Sequence, residues 1–251
     1  MPMNFSETAT DALMESFAAR RSRRSLLGGA AVATLMAAGA GVLRAPAVGA
    51  AAGNQQAIVD ILTVARTAEQ LAVTFYSNGV ANARKLKIRK EDLEYLKAAL
   101  IEEQIHQLFF AANGGQSLAD TFSFPKGAQT FEDLQVFIDT QQQLEGVFDS
   151  AFLAAVKEFS MLGEHRLAQI AAQVACIESE HRVLGREIAG RVPADNWAYA
   201  PVLIAKVADA PGAVKAAGYL DPHPGNSYTY RQVSVADDRI VYRTPFTVAG
   251  D

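Results

Sequence analysis

Four glutamates stand where helical periodicity places the interior of the fold. Glu69 lies between Ala65 and Val73, Glu103 between Leu100 and Phe110, Glu145 between Ile138 and Phe152, and Glu178 between Val174 and Leu184. Apolar residues recurring at three- and four-residue spacing mark the buried stripe of a helix. A carboxylate on that stripe is costly unless something compensates its charge. Two of the four are followed at the third position by histidine, as Glu103-x-x-His106 and Glu178-x-x-His181. Residues three apart share a helix face, so each pair projects from one side of its helix. With 14 Glu and 4 His in the chain, chance supplies about 0.2 such pairs. A solvated polar couple is the ordinary explanation of one such pair. A metal site is the better explanation of all six residues, because a helical interior has no cheap use for four glutamates.

The helices that carry them follow from the same periodicity. The first is expected from Asn54, with Ile58, Ile61, Leu62, Ala65, Ala72, Val73 and Tyr76 as its stripe and Ser77-Asn78-Gly79 as its stop. A second runs from near Glu91 to Asn113, with Leu96, Leu100 and Phe110 inward. Thr130 with Asp133 reads as a capping box opening a third helix through Phe137, Ile138 and Phe152 to near Ser160. A fourth spans Gly163 to Gly190. Links of about 12 and of a few residues make hairpins of helices one and two and of three and four. The middle link of about 16 residues reaches roughly 50 Å, more than the roughly 35 Å length of the helices, so it can cross the bundle.

Spacing and height bring the carboxylates together. Glu69 and Glu103 are 34 residues apart and Glu145 and Glu178 are 33 apart, a diverged repeat of helix-Glu followed by helix-Glu-x-x-His. Measured from their turns, the members of each hairpin stand nearly level. Folding the hairpins together gathers four carboxylates and two imidazoles, an oxygen and nitrogen set suited to iron or manganese.

At these residues the chain resembles the ferritin-like superfamily, over roughly Ala57 to Arg191. Within it the segments Glu69 to Tyr76, Glu103 to Phe110 and Glu178 to Leu184 are similar to exported ferritin-like domain proteins, among them plant desiccation-related proteins. The resemblance implies a four-helix bundle with one long crossover. It also implies that Glu103 and Glu178 bridge two metals, that Glu69 and Glu145 are terminal carboxylates, and that His106 and His181 each cap one metal. Two Fe ions are the expected cofactor, with two Mn ions as the alternative. The matching activity is redox chemistry on Fe(II), oxygen or peroxide in stress protection, as a di-iron oxidoreductase or ferroxidase or a dimanganese catalase-like enzyme. A non-catalytic structural or desiccation-protective protein is the other reading. A storage cage fits less well, because export and a long C-terminal extension do not resemble a shell subunit.

The remaining residues rank lower as ligands. Glu102, Glu164, His165, Glu180 and Glu187 fall off the core stripe or near helix ends and are expected on solvated faces. Tyr76 is expected as a core aromatic that could also reach the site, and Gln107 and Gln142 as weaker neighbours of it. The single Cys176 excludes an intrachain disulfide and a four-thiolate metal module, and is expected to be a small buried helical residue.

Both ends of the chain depart from this pattern. Ser22-Arg23-Arg24-Ser25-Leu26-Leu27 resembles the twin-arginine export consensus, with Leu26 and Gly28 where Phe and Lys are common. An Ala- and Gly-rich apolar run follows to Leu43, then Arg44 and small residues, so residues 1–50 read as a signal peptide processed after Ala47 or Ala50. An uncleaved membrane anchor is the alternative. The expected place is therefore periplasmic or extracellular, and the export machinery is a partner of the precursor. Beyond residue 50 the chain carries 18 basic and 24 acidic residues, net -6, which argues against nucleic-acid binding. Residues 192–251 are a separate extension with short helices before Tyr219. Its segments 228–235 and 239–244 alternate around Ala236-Asp237-Asp238, which predicts a β-hairpin packed on the bundle or on a second subunit.

Overall fold

Asp133 opens the third long helix, and it does so alone. Its carboxylate accepts the backbone N–H of Val136 at 3.1 Å, satisfying a donor that the first helical turn leaves free. Thr130, the expected other half of a capping box, lies instead in a short 3-10 turn, Gly127–Phe131. The computed structural model describes residues 48–245; the arginine pair and apolar run lie outside the described residues. Among them the long helices are α1 (Val48–Ala81), α2 (Lys90–Ala112), α3 (Leu134–Leu162) and α4 (His165–Ile188). No helix among the described residues is long and apolar enough to cross a membrane.

Residues 82–89 join α1 to α2, and Gly163 and Glu164 join α3 to α4. Gly163 ends α3 in the left-handed region, φ 81°, where its N–H returns to the carbonyls of Phe159 and Ser160. The helical hairpins are then connected by the crossover of residues 113–133, longer than periodicity suggested. The expected stop at Gly79 is not one, because α1 continues to Ala81. Asn78, inside the helix, and Asn82, just past its end, bond back to the carbonyls four residues earlier, at 2.8 and 2.9 Å. Gly79 serves packing: a Cβ there would lie 2.6 Å from ring carbons of Phe137 on α3.

The crossover is held by aromatic rings. Phe124 and Phe131 pack edge to face at 4.9 Å, and Phe75 of α1 stacks on Phe137 of α3 at 4.6 Å. Tyr228 from the C-terminal extension closes the group at 5.1 Å from Phe124 and 5.3 Å from Phe131.

That packing changes the partner of the predicted strand. Tyr228–Thr229 (β2) pairs antiparallel with Thr121–Phe122 (β1) of the crossover, in the register Thr121 with Thr229 and Phe122 with Tyr228. Residues 239–244, expected as the second arm of a hairpin, form no ladder. A lone hairpin has no apolar face to bury and is marginal in water, whereas the crossover offers buried rings and free backbone. The Asn226 side chain makes two further bonds to the crossover, to the N–H and carbonyl of Phe124 at 3.0 and 2.9 Å. Beyond β2, the Oε1 of buried Gln104 on α2 accepts from the Tyr230 hydroxyl and the Val233 N–H. The short helices expected before Tyr219 are a 3-10 turn, Val207–Asp209, and α5 (Ala210–Ala216). Cys176 is exposed, contrary to expectation. It stands about 200° around the helix from Val174, which is core.

Candidate metal centre

Glu69 lies twelve residues before the end of α1 and Glu103 thirteen after the start of α2. Across an antiparallel hairpin they stand level, and α3 and α4 bring Glu145 and Glu178 to the same height. The fold gathers all six predicted residues into two overlapping groups. Glu69, Glu103, His106 and Glu178 each offer a ligand atom within 4.8 Å of the others, and so do Glu103, Glu145, Glu178 and His181. Glu103 and Glu178 belong to both groups.

The individual atoms divide the same way. His106 Nδ1 lies 3.7 Å from Glu103 Oε2, 3.7 Å from Glu178 Oε1 and 3.8 Å from Glu69 Oε1. His181 Nδ1 lies 3.0 Å from Glu103 Oε1 and 3.5 Å from Glu178 Oε2. Each of the two shared glutamates thus turns one oxygen to each imidazole.

The donor set fits a pair of cations. Glu69, Glu103, Glu145 and Glu178 are at most 1% exposed. Both oxygens of Glu69, Glu103 and Glu178, Glu145 Oε2 and the Nδ1 of both histidines make no hydrogen bond. Polar atoms buried this way are costly without compensation, and three carboxylates with one imidazole in each group suit a hard divalent ion.

Burial above all, with the neighbouring carboxylates adding, raises the carboxyls of Glu69, Glu145 and Glu178 above their ordinary range. Burial opposes the charge of Glu103 as well, but the adjoining Glu69 carboxyl and the His181 ring outweigh it and hold Glu103 low. His181 is raised: burial works against its charge, and Glu103 and Glu102 overcome that.

The surroundings revise several expectations. Glu102, expected on a solvated face, is half-buried and its Oε2 lies 2.9 Å from His181 Nε2. Tyr76 is a core aromatic and also donates its hydroxyl to Glu145 Oε1. Gln141 donates to the Tyr76 hydroxyl at 3.2 Å and to the His181 carbonyl. Gln142 instead bonds to Gln141 and to the Arg182 carbonyl, and Gln107 accepts from Gln104. Neither is hydrogen-bonded to any of the six. Gln141 sits one turn before Glu145 on the same face, a spacing that could have singled it out.

Asp149, one turn after Glu145, was also missed. It is buried, receives the Ser179 hydroxyl at 3.0 Å, and burial with the nearby Glu178 pushes it up to about 7. Glu164 is half-buried, and His165, Glu180 and Glu187 are exposed, as are the surroundings of His223 in its loop.

Four antiparallel helices with carboxylates and imidazoles converging at mid-height define the class of carboxylate-rich helical bundles, with side chains grouped so that they could hold a metal ion. The sequence pattern of the family described as ferritin-like domain matches residues 57–191, more than half of the chain, and this protein belongs to that family. No curated protein and no solved structure matches it.

Proposed function

We propose that this is an exported ferritin-like protein that holds two iron or manganese ions and carries out redox chemistry on Fe(II), oxygen or peroxide in stress protection. The observation that carries the reading is the sharing of Glu103 and Glu178 by two buried ligand groups, with one oxygen of each turned to either imidazole. In this reading Glu69 and His106 would complete one site and Glu145 and His181 the other, with Glu103 and Glu178 shared between them. The bound ions would supply the electron transfer.

The chain's own residues do the positioning. The Tyr76 hydroxyl fixes Glu145 Oε1 and leaves Oε2 for a cation. Glu102 takes the Nε2–H of His181, which orients the ring and leaves Nδ1 as the ligand atom. Protons held by the raised carboxyls leave as cations enter. The near-complete burial of the carboxylates keeps bulk water from competing for them.

Metal analysis of protein matured in its own cell tests the reading. Close to two Fe or Mn per chain is expected, falling steeply in Glu103→Ala and Glu178→Ala. Metal-free protein whose melting is unchanged by both substitutions would instead make the bundle a structural protector. Export is tested by fractionation: Arg23→Lys with Arg24→Lys should retain the precursor in the cytoplasm.

A further inference from the structure

The two ligand groups have the same composition, three carboxylates and one imidazole each, and they share Glu103 and Glu178. Charge and donor type therefore give a cation no reason to prefer either. The difference lies in how firmly the unshared ligands are held. His181 Nε2 lies 2.9 Å from Glu102 Oε2, and its Nδ1 lies 3.0 Å from Glu103 Oε1. Tyr76 packs edge to face with the imidazole, ring centroids 5.7 Å apart, and donates its hydroxyl to Glu145. Gln141 ties these together, donating to the Tyr76 hydroxyl and the His181 carbonyl and accepting from Gln142 at 2.6 Å. Its amide fills a space that only glycine leaves, because a Cβ on Gly185, one turn after His181, would overlap it.

Nothing comparable surrounds Glu69 and His106. Neither oxygen of Glu69 receives a hydrogen bond, and none holds the His106 ring among the described residues. His106 Nδ1 stands off at 3.7 to 3.8 Å from the three carboxylates of its group. Its side chain is 13% exposed against 3% for His181, and the four glutamates are more deeply buried still.

Resting on the dinuclear reading above, we propose that the two positions are unequal. The Glu145–His181 position keeps a resident divalent cation, and the Glu69–His106 position is where a cation enters and leaves. Ligands locked by their own neighbours lose little freedom when an ion arrives, whereas the ion itself must order loose ones. The partner behind a metal-ligating histidine is worth about 10- to 100-fold in affinity, and His181 has one in Glu102 while His106 has none among the described residues. The partly exposed His106 ring also puts the looser position on the side from which solvent ions arrive.

Calorimetric titration of the intact metal-free protein with Fe(II) under argon, repeated with Mn(II), tests this. Two steps of one ion per chain are expected, about tenfold or more apart in affinity. His106→Ala should remove only the weaker step and His181→Ala the tighter one. Glu102→Ala and Gly185→Ala should each weaken the tighter step about tenfold and leave the weaker unchanged; Glu102, at the surface, reads the same step should Gly185→Ala not fold. Glu102→Gln, which keeps an acceptor for the ring N–H, should recover most of the loss. Excess chelator should strip one ion fast and the other slowly, with the fast phase missing in His106→Ala. Two equal steps, or a tighter step lost in His106→Ala and kept in His181→Ala, overturns the inequality and leaves the dinuclear reading standing. Absence of any bound Fe(II) or Mn(II) overturns both.

Discussion

Glu103 and Glu178 can each face two imidazoles because His106 and His181 approach from opposite ends of the same carboxylates. The charge state of this cluster makes stability depend on pH. In the metal-free protein the carboxyls of Glu69, Glu145 and Glu178 sit above the unfolded value of 4.5. Each therefore favours folding fully below that value, and its contribution is lost as pH rises through the folded value. His181, also raised, acts in the same sense above 6.5, while Glu103, held low, acts only below 4.5. Chelated protein should lose melting temperature between pH 5 and 8, and the gap to metal-loaded protein should widen, since cations replace the protons. A gap that narrows towards pH 8 would show that cations do not take the place of these protons. Tyr76→Phe leaves Glu145 Oε1 without its donor and should cost about 1–3 kcal/mol in urea denaturation.

At the scale of the element, Gly79 inverts an ordinary expectation. Gly to Ala inside a helix usually stabilises by about 1 kcal/mol. Here the added Cβ would meet the Phe137 ring at 2.6 Å, and that ring is stacked on Phe75 at 4.6 Å and cannot easily yield. Gly79→Ala should therefore destabilise by about 1–3 kcal/mol, read as a lower urea midpoint with an unchanged slope. The helices themselves were legible, because a buried stripe repeats every three to four residues whatever it packs against. The end of α1 was not, because a glycine that stops a helix and one that admits a neighbouring ring look alike in sequence. The same limit applies to Cys176, whose small apolar side chain does not reveal its face.

For the whole molecule, the C-terminal extension acts as a clamp on the crossover. Asn226 bonds both backbone groups of Phe124, β2 pairs with β1, and Tyr228 packs on Phe124 and Phe131. Asn226→Ala leaves the Phe124 N–H unpaired, while the Phe124 carbonyl keeps the Gly127 N–H, and should cost about 1–3 kcal/mol. The expected signature is faster exchange of the Phe122 and Phe124 amides in hydrogen-exchange measurements, with the amides of α4 unaffected.

By itself the sequence determined four helices, the crossover between two hairpins, and the four glutamates and two histidines that converge at mid-height, because those features are encoded locally by period, spacing and chain length. The tertiary structure alone decided how the site is finished. Glu102 reaches His181 from 79 residues away and Tyr76 reaches Glu145 from 69. Likewise Tyr228 finds its strand partner in Phe122, not in the segment after the Asp237-Asp238 turn. Such contacts join residues on different elements, so no local period records them; they are fixed only when the helices and the extension pack and each buried polar group must find a partner.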